Sequence, residues 1–104
     1  MALTKIDDRG LKTPIDLLDN EKIRFGTGND LEIYHDGSHS WIRDTGTGRL
    51  IIDGSELSFN KTGNTDYYCR MIADGAVELY YDNSKKFETS STGVTLTGDF
   101  TNNA

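Results

Sequence analysis

The sequence predicts an all-β fold of short antiparallel strands. Three observations carry that expectation. From residue 22 onward, apolar residues recur at every second position, the period of a strand with one face against a core. Clusters of Gly, Asn, Asp, Ser and Thr interrupt this alternation about every ten residues, the rhythm of sandwiches and barrels. Finally, residues 31–41 recur as 77–87 at an offset of 46, which implies a duplicated β-hairpin.

The elements follow in order. Residues 1–21 form a leading segment with its own character. Thr13 is placed as an N-cap, Pro14 at the first helical position and Asp16 in the first turn, so a short helix over 14–20 is expected, with an irregular extended arm as the alternative. Residues 22–104 are expected to form one repeat-containing β domain. Its strands are expected at 22–26, 31–35, 40–43, 50–53, 56–60, 67–73, 77–81, 86–88 and 94–96. The turns between them carry Asp36-Gly37, Asp53-Gly54, Asp74-Gly75 and Asp82-Asn83, residues that tolerate the positive φ of tight hairpins.

The duplicated hairpins are 31–42 and 77–88. Glu32, Tyr34, Asp36 and Ser38 recur as Glu78, Tyr80, Asp82 and Ser84. With Asp36-Gly37 as a two-residue loop, 34 pairs with 39 and 31 with 42. Leu31, Ile33 and Ile42 then share one face, and Tyr34 and Trp41 form a diagonal pair on the other. With Asp82-Asn83 as the second loop, Val77 and Leu79 share one face and Tyr80 and Phe87 the other. Apolar groups on two faces call for a second layer or a second chain.

Composition narrows the function. Hydrophobic residues make up 35 % of the chain, with 11 Gly and 1 Pro, a thin supply for a core at this length. The formal net charge is −6, which argues against nucleic acid as a partner, since a phosphate backbone needs clustered cations. No apolar run is long enough to cross a membrane, and the N-terminus lacks the apolar stretch of a secretory signal. The 1 cysteine, Cys69, cannot form an internal disulfide.

Two motifs are more specific. Glu-Ile-Tyr-His-Asp-Gly-Ser at 32–38 and Glu-Leu-Tyr-Tyr-Asp-Asn-Ser-Lys-Lys-Phe at 78–87 resemble repeat segments in tail-fibre and other virion structural proteins of marine bacteriophages, including those of cyanobacteria. The resemblance covers residues 22–98. It implies an elongated, intertwined homotrimer, a β-prism or a triple β-helix, in which each chain turns an apolar face to the threefold axis. Leu31, Ile33, Ile42, Val77 and Leu79 are the expected axis-facing residues. The implied partners are two further copies of the chain, other virion tail proteins, and a host-surface glycan or protein receptor. The implied location is the virion appendage, assembled in the host cytoplasm and extracellular on the free particle. A small monomeric β-sandwich is the alternative fold, reached if the two hairpins stack within one chain. A receptor- or glycan-binding module on the trimeric scaffold is the alternative function.

Candidate chemical sites are few. His35, Asp36 and His39 have the right side chains for a metal, but the second hairpin has Tyr81 and Lys85 at the histidine positions, so solvated turn histidines are expected. The Asp-rich turns follow no calcium-loop pattern. Glu32 and Glu78 are equivalent in the repeat and are expected on sheet faces, not across a hydrolase cleft. The glycine turns at 26–30 and 46–48 do not lead into a phosphate-binding helix. Cys69 reads as a small hydrophobe, and Asn60-Lys-Thr62 as a chance sequon. No cofactor, no metal and no catalysis are expected. Tyr34, Trp41 and Tyr81 are the candidate glycan or receptor contacts, weighed against ordinary cross-strand packing.

Overall fold

Among the described residues, alternating apolar and polar side chains build eight strands, each antiparallel to its neighbours. The computed structural model describes residues 12–63 and 65–102. Contacts divide the chain into Met1–Ile51 and Ile52–Ala104, and each unit holds one sheet.

In the first unit, β1 (Ile23–Phe25), β2 (Leu31–His35) and β3 (Ser40–Asp44) form a meander with β2 central. The register pairs Ile23 with Ile33, Phe25 with Leu31 and Ile33 with Ile42. Directly paired residues share a face, so these five apolar residues line one side. Arg24 pairs with Glu32, Glu32 with Arg43 and Tyr34 with Trp41, so charge and aromatic rings line the other.

The second unit continues as β4 (Glu56–Asn60), β5 (Tyr67–Ile72), β6 (Val77–Tyr81), β7 (Ser84–Ser90) and β8 (Gly93–Leu96), in sequential order across the sheet. One apolar row crosses all five strands: Phe59, Cys69, Leu79, Phe87 and Leu96. A second row runs through Leu57, Met71 and Val77. On the opposite face Arg70 pairs with both Ser58 and Glu78, and Glu78 with Glu88.

The duplication is one strand longer than the hairpin seen in the sequence. Arg24 opposes Glu32 as Arg70 opposes Glu78, Ile23 opposes Ile33 as Cys69 opposes Leu79, and Phe25 opposes Leu31 as Met71 opposes Val77. Every pair keeps the offset of 46. The repeated unit is therefore three strands, β1-β2-β3 and β5-β6-β7, with a cross-strand Arg–Glu pair on its charged face.

Several expectations are corrected. No helix forms among the described residues, so 14–20 is irregular. Its amides bond elsewhere: Glu21 Oε1 accepts the Leu18 N–H at 2.6 Å, and the Asn20 N–H donates across to the His35 carbonyl of β2 at 2.7 Å. Residues 50–53 form no strand and find no partner strand among the described residues, leaving Leu50, Ile51 and Ile52 exposed. The first hairpin loop has four residues, 36–39, because Tyr34 pairs with Trp41 and His35 with Ser40. Tyr34 and Trp41 are therefore directly opposed, not diagonal. Leu31 faces Asp44, yet the shift is an even number of residues and the faces survive it.

The second hairpin does turn at Asp82-Asn83, both with positive φ (45° and 63°), as a type I′ turn requires. Tyr80 pairs with Lys85, but Leu79 pairs with Phe87. Lys86 is thus an extra residue in a β-bulge, and it carries Phe87 onto the face of Leu79. The expected Tyr80–Phe87 face is wrong for this reason, and the second hairpin has one apolar face.

Candidate functional site

The most distinctive surface is what the sheets leave uncovered. Among the described residues no hydrophobic side chain is buried. The two buried residues there are Glu32 at 9 % exposure and Glu78 at 5 %, so the described residues invert the usual distribution, in which a buried charge is the exception. The five expected axis-facing residues all lie on apolar faces: Leu31, Ile33 and Ile42 on the first sheet, Val77 and Leu79 on the second. Ile42 is 60 % exposed and Leu79 48 %. In the first unit the arm runs beside its sheet's apolar face. Ile15, Leu17 and Leu18 with Ile23, Ile33 and Ile42 line a groove of about 460 Å³.

The charged faces explain the buried glutamates. Glu32 is the second residue of β2, with Arg24 Nε at 3.2 Å and Lys22 Nζ at 3.5 Å. Glu78 sits at the same place in β6. Lys85 Nζ reaches its Oε2 at 2.7 Å, the Tyr80 hydroxyl donates to Oε1 at 2.9 Å, and Arg70 Nη1 lies 3.8 Å away. Lys85 first and Tyr80 second hold the Glu78 carboxyl below its ordinary range, against burial, which raises it. The Tyr80 phenol is pushed up, by burial first and then by its bond to Glu78. Arg70 also donates to Glu56 at 2.9 Å. A carboxylate ringed by fixed cations on a sheet face binds its strands together.

The aromatic candidates separate. Tyr34 and Trp41 are brought together, their rings inclined by 18° with centroids 6.3 Å apart. Asp36 pins this pair. Its Oδ2 accepts the indole Nε1–H at 2.9 Å, and its Oδ1 accepts the amides of Ser38 and His39. These bonds, the indole first, hold the Asp36 carboxyl well below the usual range. Lys22 Nζ lies over the Tyr34 ring, 4.4 Å from its centroid. Tyr81 lies on β6 in the other unit and is 75 % exposed.

The histidines part as well: His35 Nδ1 lies 3.0 Å from Ser40 Oγ, while His39 tilts against Trp41. Among the described residues no three His, Cys, Asp or Glu side chains gather as metal ligands. No helix there is long and apolar enough to cross a membrane.

Two features escaped the sequence reading. Arg24 and Arg70 carry the same offset as their glutamates, so extending the repeat backward finds them. The Asp36–indole bond has no such signal, because its partner position depends on the loop length. Comparison of the chain with known protein families, curated proteins and solved structures returned no match.

Proposed function

We propose that the chain is a structural segment of a bacteriophage tail fibre or related virion appendage, working as a homotrimer that spaces, stiffens and presents the parts that contact the host. The observation that carries this reading is the pair of sheets with exposed apolar faces and, among the described residues, no buried apolar side chain. The resemblance of residues 22–98 to phage fibre repeats supplies the class of protein. Its partners on this reading are two further copies, neighbouring tail proteins and a host-surface receptor.

The energetics favour assembly. An apolar side chain about half exposed has roughly 1 kcal/mol of burial still to gain. Over the apolar face of the second sheet this is on the order of 10 kcal/mol, the size of a small domain's whole stability. Apolar faces meeting around a threefold axis recover it, while the charged faces meet water. Light scattering on a sizing column tests the reading: a species of three times 11.6 kDa, stable on dilution, supports it, and a monomer at all concentrations overturns it.

A further inference from the structure

We propose that Asp53-Gly54 is a self-modification site, where the chain converts its own aspartyl bond to an isoaspartyl bond through a succinimide. The Gly54 amide nitrogen attacks Cγ of Asp53 in its neutral acid form, and an N–Cγ bond closes a five-membered ring. The carboxyl hydroxyl leaves as water, taking the amide hydrogen. Water then opens the ring at either carbonyl carbon. Addition at Cγ restores Asp53. Addition at the main-chain carbonyl carbon breaks its bond to the Gly54 nitrogen, and the main chain then runs through Cγ. One water leaves, one enters, and nothing is oxidised or reduced.

The chain has three Asp-Gly pairs, at 36–37, 53–54 and 74–75. Glycine suits the attack because no Cβ crowds its nitrogen. The fold separates the three pairs by the reacting group it holds. At the first pair the carboxyl is held. Asp36 Oδ1 accepts the Ser38 and His39 amides at 2.9 and 2.7 Å, and its Oδ2 accepts the Trp41 indole at 2.9 Å. These bonds favour the anion, which resists attack by a nucleophile. At the third pair the amide is held. The Gly75 N–H donates to the Ile72 carbonyl at 3.0 Å, in a turn where Asp74 has a φ of 55°.

At the second pair both groups are free. Asp53 and Gly54 are exposed, and among the described residues neither the Asp53 carboxyl nor the Gly54 amide has a hydrogen-bond partner. The pair lies outside every strand, between the end of the first unit at Ile51 and β4 at Glu56. The next main-chain bond after it joins the Ala73 amide to the Ser55 carbonyl. The Gly54 nitrogen can therefore swing toward Cγ without opening a ladder. The product gains one main-chain carbon and keeps its charge, so the change lengthens the connection between the units and leaves both sheets paired. The reaction uses one chain's own atoms and does not rest on the trimer.

The full chain is aged in mildly acidic buffer made with water enriched in oxygen-18. Each ring opening inserts one heavy oxygen. Trypsin places the three pairs in separate peptides, 25–43, 50–61 and 71–85, which mass spectrometry reads one by one. In the folded chain the 50–61 peptide is expected to gain label roughly tenfold faster than the other two, the factor for one net hydrogen bond that must first open. Its isoaspartyl content, read by enzymatic methyl-ester formation, should rise in step. In urea the three rates should converge, because the bonds that hold Asp36 and Gly75 are gone. Asp53→Glu, whose ring would have six members, should take up no label at that position, with circular dichroism checking its fold. The rate should not depend on protein concentration. Equal uptake by the three peptides of the folded chain overturns the proposal, as does a ratio that urea leaves unchanged. A rate that falls as the protein is concentrated also overturns it, because the pair is then covered by another copy.

Discussion

Leu79→Asp is the sharpest probe of the proposed assembly. Leu79 stands at the centre of the row that runs from Phe59 to Leu96, between Cys69 and Phe87. It is 48 % exposed, so a single chain loses only about 1 kcal/mol of burial when it is replaced. An Asp there can still point its carboxylate to water. In a trimer closed over this face the remaining half of Leu79 is lost as well, and the carboxylate is buried without a partner, at several kcal/mol for each copy. Over three copies the penalty is on the order of 10 kcal/mol, or about seven decades in the association constant. The wild type is therefore expected to sediment as a trimer and Leu79→Asp as a monomer at every accessible concentration, with Leu79→Ala in between. An intact Leu79→Asp trimer with an unchanged melting temperature would refute the assignment of this face.

Four further outcomes are expected. Leu31→Asp breaks assembly in the same way on the first sheet, read as solution mass. Glu78→Ala lowers the melting temperature by more than Glu32→Ala, because Lys85, Arg70 and the Tyr80 hydroxyl all converge on Glu78; equal shifts count against this. The folded Glu78 carboxyl titrates below its ordinary value of 4.5, so its stabilisation is full above that value and is lost as the pH falls through the lower, folded one. Thermal melts should thus be flat toward neutral pH and drop on acidification below that value, with a shallower drop in Glu78→Gln. Deleting Lys86 removes the bulge but leaves Leu79 opposite Phe87, so assembly and circular dichroism should be preserved; loss of either contradicts the register.

Legibility in the sequence followed the range of the interaction. The strands β2 and β6 and the Asp82-Asn83 turn are local features, and their periodicity and turn residues place them correctly. The expected helix at 14–20 rests on equally local signals, yet the Asn20 amide bonds His35, fifteen residues on, and tertiary context prevails over a short helix with little stability of its own. Residues 50–53 have strand composition, but a strand exists only with a partner, and composition does not name one. The faces of the first hairpin were legible because an even shift preserves them. Phe87 was not, because one bulged residue changes parity. For the site, the aromatic pair was visible as residue types, whereas its anchoring by Asp36 depends on a four-residue loop that Asp36-Gly37 does not announce.

The meander order has a kinetic consequence. Every strand in both sheets pairs with its neighbour in sequence, so each hairpin closes through a short loop and contact order is low. Such hairpins zip in microseconds, long before copies at ordinary concentrations collide. On the proposed trimer the slow event in refolding is therefore encounter, not chain topology, and the observed rate should rise with protein concentration. Until encounter, the rows through Leu79 and Ile33 meet solvent, so dilute or slow synthesis leaves these faces open to the wrong partner.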